Sequence, residues 1–176
     1  MRIIGLTGPA RSGKDTVAAI IQSSVMCEKF SFAHQIKEML RVGIGVDIGN
    51  DKDSKEFLGV SHREIIQTLG TEWGRNMIHA DVWVKAMEHN IKMNAFLTTE
   101  VVVVTDVRFP NEAKWVREHG TLIHIVGRGG IKGRHSSEDG IPLVEEDLII
   151  ENHSTFEDLK KYTLLTLASC LQKDGV

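Results

Sequence analysis

The chain has 176 residues, 41% hydrophobic and 26% charged, with a formal net charge of −3 from 21 Lys and Arg against 24 Asp and Glu. These proportions suit one soluble domain with a proper core, and they disfavour a nucleic-acid polymer as partner, since no broad basic field exists to hold its backbone. No apolar run reaches the length of a membrane span, and Cys27 and Cys170 stand far apart without metal or redox spacing, so reduced thiols in a cytoplasmic protein are expected.

In chain order, RIIGLT (2–7) reads as a first strand and not a signal peptide, because it runs straight into Gly8 with no cleavage pattern. Residues 14–25 place Val17, Ile20 and Ile21 at helical spacing. KFSF (29–32) reads as a second strand, followed by a helix with Ile36, Met39 and Leu40 on one face that stops at Gly43 and Gly45. Residues 43–60 are rich in glycine and charge and read as loop. Ser61 with Glu64 three residues on predicts a capped helix start, and a further helix covers 80–95. EVVVVTD (100–106) is the clearest strand, its four valines fitting a position buried on both faces of a parallel sheet. Pro110 opens a helix over 110–119 that Gly120 ends. TLIHIV (121–126) and DLIIE (147–151) are the last strands, separated by a glycine-rich stretch. The final helix, about 155–172, is expected to turn Phe156, Leu159, Leu167 and Leu171 inward. Strands alternating with helices predict an α/β fold, a parallel five-stranded sheet with helices on both faces. Ligands then bind beyond the carboxyl ends of the strands, after residues 7, 32, 106, 126 and 151.

The stretch GPARSGKDT (8–16) lies after the first of these strand ends. Gly8 and Gly13 let the backbone curl so that successive N–H groups face one concavity, and the next helix adds its positive end. Lys14 supplies a point charge for the β- and γ-phosphates of a nucleotide. Asp15 occupies the usual magnesium-hydroxyl position, and Thr16 follows one residue late. A carboxylate at Asp15 either faces magnesium, its waters or a cation, or serves as a first-turn helix acid.

Asp106 ends the valine strand and would adjoin the glycine loop if the valine strand and the first strand are neighbours; there it could hold magnesium, directly or through water, or it is a turn acid. Arg108 reaches the transferring phosphoryl group or is a surface arginine. Residues 127–138 carry Arg128, Lys132 and Arg134, cations able to close over phosphates and expel water. Lys37, Arg63 and Arg75 suit an acceptor phosphate, and Gln67 suits a base edge. Trp73 either stacks on a base or packs in the core. The eight histidines show no metal-ligand spacing.

The ordered set GPARSGKDT, FSFAHQIKEML, REIIQTLGTEWGR, DVRFPNEA, GRHSSE and IIENHSTFEDL resembles the deoxynucleoside monophosphate kinases of bacteriophages, within the P-loop nucleoside monophosphate kinase group. The resemblance implies a P-loop NTPase fold, three-layer α/β/α, over a single domain 1–176 with an acceptor-binding segment about 33–95 and a lid about 127–145. It implies ATP as phosphoryl donor, Mg2+, a deoxynucleoside monophosphate as small-molecule acceptor, and the host cytoplasm for a phage-encoded copy. Gly8, Arg11, Ser12, Gly13, Lys14, Asp15 and Thr16 would hold ATP. Lys37, Arg63, Gln67 and Arg75 would hold the acceptor. Lys14, Asp15, Asp106, Arg108, Arg128 and Arg134 would serve catalysis, with Asp15, Thr16 and Asp106 toward the metal. A homodimer stays open beside a monomer. Two other readings stay open: a related kinase acting on dephospho-coenzyme A or phosphomevalonate, and a non-catalytic nucleotide switch. The switch is disfavoured by the absence of a guanine signature and by the separate arginine-bearing acceptor segment.

Overall fold

The four valines of Val101–Val104 are completely buried, and the sheet is built around them. A computed structural model describes residues 1–48, 56–96, 98–129 and 139–172. The chain forms two compact units: Met1–Phe30 with Asn94–Val176, and Ser31–Met93.

In the first unit, five parallel strands lie in the order β2 (Cys27–Phe30), β5 (Val101–Val104), β1 (Arg2–Thr7), β6 (Gly120–Val126) and β7 (Leu148–Glu151). β1 pairs with β5 from Arg2↔Val101 to Gly5↔Val104, so the two strands bearing the candidate motifs are neighbours. One sheet face packs Ile4, Leu6, Val101, Val103, Ile123, Ile125 and Ile150 against α1 (Lys14–Gln22) and α6 (Phe156–Gln172). Burying each such side chain contributes roughly 1.5–3 kcal/mol. The other face meets α5 (Pro110–His119): a Cβ on Gly5 would lie 2.6 Å from a Val116 methyl. Helices on both faces are what a fully buried parallel strand requires.

The second unit holds α2 (Ala33–Ile44), a two-stranded hairpin of β3 (Glu56–Phe57) and β4 (Val60–Ser61), α3 (His62–Gln67), a π-helix over Thr68–Ile78, and α4 (Val82–Asn94). The Ser61 hydroxyl accepts from Glu64 N at 3.2 Å and starts α3 as the spacing predicts. The wide helix then takes over at Thr68, a feature no apolar periodicity announced. Two glycines make room for it. A Cβ on Gly70 would lie 2.9 Å from Ile36 Cδ1, and one on Gly74 would lie 2.6 Å from the Trp83 ring. The Trp83 Nε1–H donates to the Gly70 carbonyl at 2.7 Å, and the Gly74 carbonyl accepts from His79 N, five residues on, at 3.1 Å. Such segments are rare and tend to occur at functional sites.

Several sequence expectations shift. β2 spans Cys27–Phe30, two residues earlier than KFSF, because its ladder to β5 runs from Cys27↔Val101 to Phe30↔Val104. Residues 43–60 contain the end of α2 and the short hairpin; 49–55 lie outside the described residues. Met39 is 42% exposed, on the flank of the stripe that buries Ile36 and Leu40. Phe156 is 56% exposed, since the first residue of α6 projects past the packed part of that helix, whereas Leu159 and Leu167 are buried.

Candidate active site

β1 ends at Thr7 and α1 begins at Lys14, so the six residues between must turn the chain sharply. They do it with left-handed backbone at Gly8 (φ 141°), Arg11 (φ 63°) and Gly13 (φ 104°). Gly8 has a steric reason too: an added Cβ would lie 2.4 Å from the Ile125 carbonyl oxygen of β6. Gly13 closes the first helical bond, Val17 N to its oxygen at 2.9 Å, leaving the preceding N–H groups at the start of α1 unused by the helix. Lys14 Nζ donates to the carbonyls of Gly8 (2.8 Å) and Pro9 (2.7 Å), so the ammonium stands over the mouth of the loop. The Ser12 hydroxyl is fully buried and has no hydrogen-bond partner among the described residues. A desolvated, unsatisfied hydroxyl beside a curled backbone and a lysine suits an oxyanion ligand.

Residues from the other strand ends gather on this loop. Asn152, just past β7, donates from Nδ2 to the Ser12 carbonyl at 2.8 Å. Arg128, just past β6, is exposed and donates to the Ser154 carbonyl at 2.6 Å. Gly129 lies on the loop so closely that a Cβ there would be 2.2 Å from Ala10 O and 2.9 Å from Ser12 N. Asp15 is 87% exposed in its side chain and pairs with Lys29 of β2 at 3.6 Å, which supplies the nearby cation that an extra carboxylate calls for. Thr16 is half-buried on the first turn of α1.

Asp106 lies two residues past β5. Thr105 N donates to Phe30 O (3.1 Å) and Val107 N to Leu6 O (3.2 Å), so this turn is stitched between the ends of β2 and β1 with Asp106 half-buried between them. Arg108 follows, also half-buried, and its backbone is held by a residue the motifs did not single out. The carboxylate of Glu112, 2% exposed, accepts from Arg108 N (2.7 Å) and Phe109 N (3.0 Å). That glutamate sits at the third helical position after a proline start, a detectable capping signal. Asn152 gave no comparable signal, because its contact spans 140 residues of chain. Lys132 and Arg134 lie outside the described residues.

The remaining candidates belong to the second unit. Lys37 is on α2, Arg63 and Gln67 are on α3, and Arg75 is in the π-helix, all half-buried. Arg75 donates to the Ala80 carbonyl at 3.0 Å. Trp73 is 36% exposed at the rim of an aromatic pair with Trp83, ring centroids 6.4 Å apart and planes tilted by 46°.

Two titratable groups mark structure instead of chemistry. Burial pushes the Cys27 thiol up to about 11, so it is unreactive near neutrality. Asp147 anchors the chain before β7: its carboxylate receives Arg117 Nε (2.9 Å) and Nη2 (2.6 Å), Val144 N (3.1 Å) and contacts His124 Nε2 (2.9 Å). Burial alone would raise that carboxyl; the Arg117, Val144 and His124 bonds outweigh it and hold Asp147 below the ordinary range. Among the described residues no group of three His, Cys, Asp or Glu is arranged to hold a metal ion.

A five-stranded parallel sheet whose first strand feeds a glycine loop, a lysine and a helix, with an acid at the end of the adjoining strand, defines a P-loop nucleotide-binding domain of the phosphotransferase type. The family model described as deoxynucleotide monophosphate kinase matches residues 2–60 and 53–163. The chain belongs to that family, and it is an ATP-dependent phosphotransferase. It is 26% identical to the deoxynucleoside-5′-monophosphate kinase of Escherichia phage T5, over 80% of this chain and 85% of the relative. It is also 26% identical to the deoxynucleotide monophosphate kinase of Enterobacteria phage T4, over 90% and 95%. The crystal structure of TT1252 from Thermus thermophilus shares the fold, with a TM-score of 0.53, 16% identity and coverage of 96% and 97%.

Proposed function

We propose that the protein transfers the γ-phosphoryl group of ATP to the 5′-phosphate of a deoxynucleoside monophosphate, giving the diphosphate and ADP, with Gly8–Thr16 as the donor site. The observation that carries this reading is the loop itself: left-handed turns at Gly8, Arg11 and Gly13, a buried unsatisfied Ser12 hydroxyl, and a Lys14 ammonium that donates to the Gly8 and Pro9 carbonyls. A phosphate entering the loop replaces those two carbonyls as partner of the ammonium.

The acceptor oxygen is already anionic, so the reaction needs no strong general base. Its loose transition state spreads charge over several oxygens, and the protein's work is positioning and charge neutralisation. In this reading Lys14 neutralises the donor phosphates. Arg108, held by Glu112, and Arg128, Lys132 and Arg134 of the lid provide further cations. Lys37, Arg63 and Arg75 grip the acceptor phosphate, with Gln67 toward the base. The acceptor segment proposed at 33–95 agrees within two residues with the second unit, Ser31–Met93, which supports treating it as a functional part. Mg2+ fits the residues present: a single half-buried Asp106, the Thr16 hydroxyl and Asp15 suffice for an ion that keeps waters and shares substrate phosphates. When bound it would neutralise charge that develops on the transferring phosphoryl group.

The test is magnesium-dependent ADP release from ATP across the common ribo- and deoxyribonucleoside monophosphates, with a control lacking acceptor. Release stimulated by particular deoxynucleotides is expected. Equal release with and without acceptors would mean an NTPase or switch and overturn the proposal. ATP binding without any release would redirect the search to dephospho-coenzyme A and phosphomevalonate.

A further inference from the structure

We infer that Asn152 is a positioning residue of the donor site: its carboxamide fixes the Ser12–Gly13 peptide so that the Gly13 N–H faces the phosphate concavity. This rests on the reading of Gly8–Thr16 as the donor loop. Asn152 is 6% exposed, and its Nδ2 donates to the Ser12 carbonyl oxygen at 2.8 Å. In a trans peptide the carbonyl and the following N–H point in opposite directions across one plane. Holding Ser12 O toward Asn152 therefore turns Gly13 N–H away from it, into the loop.

The same amide touches the peptide from a second direction. A Cβ on Gly13 would sit 2.6 Å from Nδ2, so the glycine at φ 104° lies directly against the carboxamide and only a glycine fits there. The anchor is itself rigid. Asn152 N donates to Val126 O at 2.8 Å, which extends the β6–β7 ladder one residue past Glu151. The peptide that begins α1 is thus referenced to the far strand of the sheet. Orienting a donor before the ligand arrives removes a reorganisation cost at the moment of binding, the property required of a phosphate cradle.

The experiment measures equilibrium binding of ATP and of tripolyphosphate to wild type, Asn152→Ala and Asn152→Ser, with KM for the acceptor and the melting temperature of each protein. Serine keeps a small polar group in the buried position should alanine fail to fold. One misoriented donor is expected to weaken ATP and tripolyphosphate alike by about tenfold, with acceptor KM unchanged. Wild-type affinity in a folded variant would overturn the inference. So would parallel losses for donor and acceptor that track the melting temperature, or failure of both variants to fold, because Asn152 would then serve only the fold. If wild type itself binds neither ATP nor tripolyphosphate, it is the donor-site reading that falls.

Discussion

Lys14 shows most directly how a residue's surroundings set its task. Its ammonium lies 2.8 Å and 2.7 Å from two loop carbonyls, partners that a phosphate carrying full negative charge would replace in the proposed function. Lys14→Ala is expected to lower kcat/KM at least about a hundredfold, of the size seen when one charge-stabilising donor is removed, while circular dichroism and melting temperature stay near wild type. Turnover close to wild type would contradict the donor-site assignment. Asp15 is a contrasting case. It breaks the usual loop pattern, and its exposed pairing with Lys29 of β2 gives the carboxylate a local counter-charge. That pair is worth little to stability, as solvent-exposed ion pairs are. The loop was legible because its parts are consecutive in the chain. Asn152 and Gly129, which hold the loop from outside, were not, since nothing in a one-dimensional pattern ties residue 152 to residue 12.

Among the elements, the π-helix Thr68–Ile78 is the feature the chain concealed. QTLGTEWGR reads as an ordinary helix with two costly glycines. Packing explains them: Gly70 lies under Ile36, Gly74 lies under the Trp83 ring, and the indole N–H holds the Gly70 carbonyl. Arg75 sits one residue beyond the second glycine, so its position depends on this arrangement. Trp83→Phe keeps a ring but removes the 2.7 Å bond. It is expected to cost about 1 kcal/mol through the lost buried hydrogen bond, and to raise KM for the acceptor several-fold with KM for ATP unchanged. Steady-state kinetics with each substrate varied in turn, beside a urea melt, check both halves; an unchanged acceptor KM would detach the π-helix from acceptor binding. The misplaced inward residues have the same kind of cause. Met39 and Phe156 satisfy a 3.6-residue spacing, but the spacing says nothing about where a neighbour's surface ends.

For the whole molecule, one buried cluster ties α5, β6 and the segment leading into β7 together through Asp147, Arg117 and His124. It also holds the segment before β7, since Arg117 Nη2 reaches the Pro142 carbonyl at 2.9 Å. The folded carboxyl of Asp147 lies below its unfolded value of about 3.9. Its contribution is therefore fully present above that value and is lost as pH falls through the lower folded one. Asp147→Asn leaves Arg117 without its charge partner and is expected to destabilise by about 3 kcal/mol near neutrality. The gap between wild type and variant should then narrow below about pH 4. Thermal melts from pH 7 to pH 3 test this, and a gap that widens toward acid would refute it.

By itself the sequence determined the alternation of strands and helices, the buried valine strand, the glycine loop with Lys14, and the acid Asp106 at a strand end. Each of these depends on backbone preference and spacing within a few residues, so local order was enough. Only the tertiary structure decided the strand order that sets β5 beside β1, the widening of the helix under Trp83, and the residues from 108 to 154 that clasp the loop or its neighbours. Those depend on which surfaces exclude water together and which buried polar groups must find partners, and both are properties of chain segments far apart in sequence.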